Sequence, residues 1–511
     1  MCGIAGFCNF KEDFEENTDY WNFRLEKMRA VLAHRGNDAR GRYLKKHIGL
    51  SHSRLAIRDI LCGDQPMTRT HNGYDYTICY NGEIYNTDEL IPELSENGFV
   101  CSTTSDTEVI LYAYIHWGAD FVNRLNGIFA FAIWDAAKSR LLLYRDRVGV
   151  KPLFYAIRGD SLVFGSEPKA CFAHPAVKPE LDKQGLQELL AIGPAHTSGL
   201  SLFKDLFEVL PGHFMIYSRD GLHDETYWEL TSREHTESYR DTVAHTRFLV
   251  EDAIKRQMVS DVPVCTFLSG GIDSSIVTAI AANYMNTRGK TLNTFSFDFK
   301  DNDRYFKANA FQPERDLPYV NRMLEEYETA HAYLECDENS LFKALFAAVD
   351  AKDMPGMTDV DSSLLYFCSL VSRKNKVALT GECADEIFGG YPWFYRKELL
   401  ERYGFPWSSD VAPRLALLRD DVGLELDLSG YQAFRYEESR SKAPLLYGEA
   451  GEDESRRIIG YLNIKWFMQT LLDRMDRTSM YSELEARVPF ADHRIIEYVF
   501  NVPWHMKYQN G

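Results

Sequence analysis

The apolar pattern of the chain changes character near residue 220, and no single layered core accommodates both halves. Up to about residue 215 the apolar residues fall in short period-two or continuous runs, at 4–7, 76–80, 129–134, 141–144 and 213–217, which is strand spacing. Paired strands of this kind predict stacked sheets with helices outside. Past Asp261 the pattern differs: the apolar run 262–268 meets a Gly turn, then a helix with Ile276, Ile280 and Tyr284 on one face. Strand-like runs recur at 292–299 and 377–380, and strand–turn–helix units of this sort build a parallel α/β sheet. The polar, turn-rich stretch from 218 to about 241 is the predicted boundary, which gives domains over 2–215 and 240–511. A length of 511 residues agrees with two cores. Residues 401–470 mix charged and apolar types and read as helical.

Charge and cysteine usage exclude several function classes. A formal charge of −18, scattered along the chain, argues against a general nucleic-acid binder. Any polyanionic ligand must then be held by backbone amides, a metal and a few local cations. The ten Cys show no CxxC pair and no Cys/His cluster of zinc spacing, so neither a disulfide framework nor a structural metal is predicted, and a reducing compartment fits. No charged-then-apolar leader precedes the first motif and no apolar run is long enough to span a bilayer, so a cytoplasmic protein with no membrane partner is expected.

Cys2 follows the initiator directly in Met1-Cys2-Gly3-Ile4. Removal of Met1 would leave a thiol and a free α-amino group on one residue, a nucleophile with its own base. Alone, the same residue reads equally well as a small buried Cys in a first strand. Four segments accompany it: the polar loop His34-Arg35-Gly36-Asn37-Asp38, Arg54 at the head of an apolar stretch, Asn81-Gly82-Glu83 between two strand-like runs, and Ser105-Asp106-Thr107-Glu108 opening a helix. Taken singly, Asn81-Gly82 is a hairpin-turn signal and Ser105 or Asp106 with Glu108 a helix cap. Taken together they supply a cation for an amino-acid carboxylate (Arg54), acidic groups for its ammonium (Glu83, Asp106), and donors for a tetrahedral oxyanion (Asn81, Gly82). These motifs resemble the glutaminase domain of class II glutamine amidotransferases, which are N-terminal-nucleophile (Ntn) hydrolases. The resemblance, extended by 145–155 and 165–167 to nearly the whole first domain, implies an αββα sandwich. It further implies that Cys2 forms a γ-glutamyl thioester, that Asn81 and Gly82 line the oxyanion hole, and that Arg54, Glu83 and Asp106 hold glutamine. Asn37 stands where that family usually has Pro.

In the second half, Ser269-Gly270-Gly271-Ile272-Asp273-Ser274-Ser275 lies between an apolar strand and a helix. Glycines let the backbone close around an anion, successive amides and the helix N-terminus point at it, and the hydroxyls of Ser269, Ser274 and Ser275 add donors. Asp273 would hold Mg²⁺ against a polyphosphate. No Gly-Lys-Ser/Thr follows, so this is not a Walker loop. A second element, Thr380-Gly381-Glu382-Cys383-Ala384-Asp385, follows another strand end, where such sheets bind ligands. Together the two elements resemble the ATP-pyrophosphatase domain of asparagine synthetases. The resemblance implies that Asp385 shares magnesium with Asp273, that Glu382 promotes acyl-adenylate formation or proton transfer from ammonia, and that Phe267, Phe297, Thr380 and Gly381 line the nucleotide. Thr380 replaces a usual Ser and Cys383 a usual Gly. Residues 473–480 and 485–493 continue the likeness.

The whole resemblance implies ATP-dependent conversion of aspartate to asparagine with glutamine as nitrogen donor, through a cysteinyl thioester and β-aspartyl-AMP. Glutamine, aspartate and ATP would be the partners, with Mg²⁺ as cofactor and a homodimer allowed. The same chemistry on another carboxylate, such as a cell-wall amino acid, is the alternative. The chain stops at Gly511, short of a Lys-containing segment with which that family touches pyrophosphate, so a C-terminally truncated second domain is expected.

Overall fold

The computed structural model describes residues 2–308, 314–408 and 410–510. Met1, whose removal is expected from the sequence, and Gly511 lie outside the described residues. The first domain is built on two six-stranded antiparallel sheets. From edge to edge, one runs Phe207–Glu208, Phe154–Arg158, Ser161–Gly165, Gly3–Asn9, Ile48–Arg54 and Ala39–Lys45. The other runs Gly221–Thr226, His213–Ser218, Arg140–Arg145, Gly127–Asp135, Tyr74–Ile84 and Met67–His71. Alternation along Gly3–Asn9 explains the layering: Ile4 and Cys8 pack between the sheets with Leu50, Ala132 and Leu143, while Ala5 and Phe7 meet the outer helix Thr18–Ala30 through Leu25 and Met28. The helices Thr87–Glu96 and Asp106–Trp117 cover the second sheet through Leu90, Leu94 and Ile110. This is the expected αββα sandwich.

Two local expectations give way to tertiary pairing. Asn81-Gly82 is not a hairpin turn: Tyr74–Ile84 runs straight through it, with Asn81 opposite Ala130 and Gly82 opposite Phe129. The polar stretch after 217 opens as a hairpin, Ser218 opposite Gly221, so the second sheet continues through Gly221–Thr226, beyond the expected limit of 215. Residues 229–238 carry the chain across to the helix Tyr239–Arg256.

In the second domain five parallel strands lie in the order Thr329–Cys336, Leu292–Phe299, Val264–Phe267, Val377–Leu379 and Glu485–Arg487. Val264–Phe267 leads into the helix Ile272–Asn286, as the strand–turn–helix pattern predicts. Much of 401–470 is helical, including Leu428–Arg440 and Glu452–Leu462, and leads into the helix Met468–Met480. The domains share one apolar cluster, in which Leu55, Ile57, Val148 and Val150 pack with Val264 and Ala384. All ten cysteines are free thiols. Among the described residues no helix is long and apolar enough to cross a membrane.

Candidate active sites

Cys2 sits at the head of the strand Gly3–Asn9, 8% exposed. Its backbone N–H donates to Asn81 Oδ1 at 2.9 Å. Asn81 is fully buried, and its Nδ2 has no hydrogen-bond partner among the described residues. An idle buried amide donor costs about 1–3 kcal/mol, so this atom is open to a partner such as a ligand oxygen or a water. Gly82 follows because nothing larger fits: a Cβ there would stand 2.1 Å from Ile128 O. Burial raises the Cys2 thiol above its ordinary value, opposed in part by the Leu55 amide and the Arg54 guanidinium. The sulfur therefore needs a base before it can attack.

Glu83 and Asp106 come together behind Asn81. Asp106 Oδ2 accepts from Tyr80 OH at 2.9 Å and from Ile84 N at 3.0 Å, which fixes its orientation. Glu83 is buried and its Oε2 accepts no hydrogen bond among the described residues, although Arg58 and Arg487 each stand 3.7 Å away. Burial and the Asp106 charge push the Glu83 carboxyl well above its usual range. Both features suit a carboxylate waiting for a substrate ammonium. Arg54 lies near Cys2 but is engaged with the loop that follows it: Nη1 donates to Asp64 Oδ1 at 2.9 Å and Nη2 to Asp59 O at 2.6 Å. Ser105 caps its helix as expected, accepting from Thr107 N at 3.3 Å, whereas Glu108 serves the preceding loop by accepting from Ser102 N and Thr103 N.

The second site is a cleft of about 500 Å³ at the carboxyl ends of the parallel strands. Phe267, Ser269, Gly271, Asp273, Ser274, Phe297, Thr380, Gly381, Glu382 and Asp385, all anticipated from sequence, line it. Gly270 and Ser275 do not. Gly270 turns the loop at φ +86°, and Ser275 N donates to Gly271 O inside the helix. At Gly381 the two loops pack tightly, since a Cβ would lie 2.8 Å from Ser274 N. The helix Ile272–Asn286 starts at Gly271 with no side-chain cap, leaving its first amides for an anion. Phe367 stacks obliquely on Phe267 and Phe297, at ring separations of 4.6 and 5.3 Å, forming an aromatic wall.

Burial, then the Asp385 charge, lifts Asp273 to about 6, and burial and Glu382 lift Asp385. Two carboxylates that line one cleft, Asp273 half-buried and Asp385 at its exposed side, fit a divalent cation, and Mg²⁺ characteristically takes one or two carboxylates and fills its shell with water and phosphate. No group of three His, Cys, Asp or Glu side chains forms a fuller cage among the described residues. Cys383 adopts φ +77°, the left-handed region where Gly is unstrained, so the departure seen in the sequence is a real backbone cost of about 1 kcal/mol. Sequence reasoning missed Arg474, whose Nη2 donates to Glu382 Oε1 at 2.8 Å. It also missed the buried Glu386, which accepts from Tyr391 OH and is lifted by burial to about 7. Arg474 lay within a recognised motif; its partner is 92 residues away.

An αββα sandwich carrying a thiol at the head of its first strand, joined to a parallel sheet with a glycine-rich loop and an uncapped helix, has the build of a two-domain amidotransferase. The families that match are "Glutamine amidotransferase domain" over residues 1–228 and "Asparagine synthase" over 245–511. Asparagine synthetase [glutamine-hydrolyzing] 3 of Bacillus subtilis is 49% identical over 508 residues, covering 99% of this chain and 82% of that protein. Amidase chyE of Penicillium rubens is 30% identical over 572 residues, covering 99% of this chain and 83% of its own length. Among solved structures, a glutamine phosphoribosylpyrophosphate amidotransferase from B. subtilis overlaps at a TM-score of 0.35 and 15% identity, over 65% of this chain and 81% of that one. The chain belongs to the glutamine-hydrolysing asparagine synthetase family.

Proposed function

We propose that the protein makes asparagine from aspartate and ATP with nitrogen drawn from glutamine, through a cysteinyl thioester and β-aspartyl-AMP. With Met1 gone, the nitrogen that donates to Asn81 Oδ1 becomes the α-amine of Cys2, a base titrating near neutrality beside a thiol that burial keeps protonated. Cys2 Sγ attacks the glutamine δ-carbon as the amine takes the thiol proton. The oxyanion meets Asn81 Nδ2 and the Gly82 amide. Collapse returns the proton to the leaving nitrogen, releases ammonia and leaves a γ-glutamyl thioester, which water cleaves to glutamate. Glu83 and Asp106 hold the substrate ammonium, and Arg54 its carboxylate once released from Asp64.

In the second cleft the aspartate β-carboxylate attacks the α-phosphorus of ATP, expelling pyrophosphate and forming β-aspartyl-AMP. Phe267 and Phe297 face the nucleotide, and the amides after Gly271 face its phosphates. Mg²⁺ between Asp273 and Asp385 would screen the polyphosphate charge. Ammonia displaces AMP while Glu382, oriented by Arg474, accepts a proton. The apolar cluster shared by the two domains suits the transit of neutral ammonia, and a dry synthetase site protects the mixed anhydride from hydrolysis. Ten free thiols suit the cytoplasm.

The observation that carries this reading is Asn81, bonded to Cys2 through one amide atom and idle at the other. Its test mixes protein with glutamine, ATP and Mg²⁺, with and without aspartate. Aspartate-dependent AMP and pyrophosphate are expected. Glutamate alone would reduce the protein to a glutaminase, and turnover with a different carboxylate would reassign the acceptor.

A further inference from the structure

Three side-chain contacts fix the backbone at the head of the first strand, two of them on Cys2 itself. Cys2 N donates to Asn81 Oδ1 at 2.9 Å, Ile4 N donates to Ser166 Oγ at 3.0 Å, and Arg35 Nε donates to Cys2 O at 3.0 Å. The third differs from the others because Arg35 is gripped from both domains. Its Nη1 donates to Glu167 Oε1 at 2.8 Å within the first domain, and its Nη2 donates to Asp476 Oδ2 at 2.8 Å across the interface. Lys151 Nζ donates to the other oxygen of Asp476 at 2.9 Å. Arg35, Lys151 and Glu167 are fully buried and Asp476 nearly so.

Asp476 lies on the helix Met468–Met480, two residues after Arg474, which pairs with Glu382 at 2.8 Å. Positions two apart on an α-helix point about 200° apart, so one rigid helix turns one face to each site. Taking charges this far from water is costly and is offset only where the pairing is complete. Here it is complete: burial opposes the Asp476 charge, but Arg35 and Lys151 outweigh it and hold the carboxyl below its usual range. An ion cluster that served only to glue the domains would have no need of the Cys2 carbonyl.

We infer that Asp476, a residue of the second domain, is a positioning residue for glutamine hydrolysis, acting through Arg35 on the backbone of Cys2. This rests on Cys2 being the nucleophile. The guanidinium is a planar fork, so its three directions move together. With the Asp476 charge gone, the fork is drawn toward Glu167 alone and Nε swings off Cys2 O. The sulfur then loses its register with Asn81 Nδ2 and Gly82, and misplacement by about 1 Å typically costs about 100-fold in rate. Glutamine affinity, which lies with Arg54, Glu83 and Asp106, stays.

The test is Asp476→Asn in the full chain, with kcat and KM for glutamine hydrolysis, ammonia-dependent asparagine formation and thermal unfolding measured together. Expected are a kcat at least tenfold lower, a KM within threefold, ammonia-dependent synthesis within twofold and a cooperative melt. An unchanged kcat overturns the inference, as does an equal fall of both activities, which marks a purely structural role. Should that variant fail to fold, Lys151→Met with Asp476→Asn removes both opposing charges, and the same split is required of it. Cys2→Ala run in parallel separates the two readings. Hydrolysis that survives Cys2→Ala refutes the nucleophile assignment, whereas hydrolysis lost there but intact in Asp476→Asn refutes only the positioning role.

Discussion

Replacing Asn81 by Ala tests the proposed oxyanion donor of glutamine hydrolysis. The side chain is fully buried, its Oδ1 accepts from Cys2 N at 2.9 Å, and its Nδ2 bonds to nothing among the described residues. In the resting protein the substitution relieves one orphan donor, a gain of about 1–3 kcal/mol, and leaves the Cys2 nitrogen without its acceptor, a loss of about the same size. A small residual cavity adds to the loss, so the two nearly cancel and the melting temperature moves by only a few degrees. In the transition state the account is one-sided. Losing one oxyanion donor costs about 2.7–4 kcal/mol, which lowers kcat by about 10²–10³. Glutamate release at saturating glutamine measures it, with KM expected within threefold because the substrate's charged ends are held elsewhere. A kcat within fivefold of wild type, or a KM that rises while kcat holds, would refute the assignment of Nδ2 to the oxyanion.

Three further outcomes follow from the same geometry. Gly82→Ala places a Cβ 2.1 Å from Ile128 O, so strand and oxyanion amide must shift, and glutamine hydrolysis should fall at least tenfold together with the melting temperature. Asp273→Asn should stop pyrophosphate release while glutamine hydrolysis stays within twofold, as coupled assays on one preparation would show. His52, fully buried with its Nε2–H donating to Tyr80 O, is lowered by desolvation to about 3 against an ordinary 6.5. The unfolded chain therefore takes a proton below 6.5 that the folded chain refuses, and stability that is complete above 6.5 is lost toward pH 3 at up to about 1.4 kcal/mol per pH unit. Denaturant unfolding at stepped pH should give a shallower acid slope for His52→Gln; an identical slope would show that this imidazole takes its proton equally well folded and unfolded.

Cys2 and the loop from Ser269 to Ser275 were legible in the sequence because their chemistry is local: a thiol at the head of a strand, and glycines between strand and helix. Stacked sheets with helices outside are legible from the strand-like runs, and the αββα sandwich from the family resemblance. Asn81-Gly82 shows where local reading fails. Its turn signal is outweighed by pairing with Gly127–Asp135, far along the chain, which continues on both sides of the dipeptide. Ser218 to Gly221 misleads in the opposite sense, because a hairpin and a linker use the same polar residues. Cys383 is an informative departure: it stands where the resembled family usually has Gly, and it adopts φ +77°, where a side chain costs backbone energy. Arg35 and Asp476, 441 residues apart, carry no mutual signal until the chain is folded.

The central claim is that nitrogen freed at Cys2 is consumed in the ATP cleft of the same molecule. Amide-¹⁵N glutamine supplied with aspartate, ATP, Mg²⁺ and unlabelled ammonium below the level that supports synthesis tests it directly. The account predicts asparagine carrying the label in its side-chain amide, with one AMP and one pyrophosphate per asparagine. Glutamate and free ¹⁵N-ammonium accumulating without labelled asparagine would contradict it.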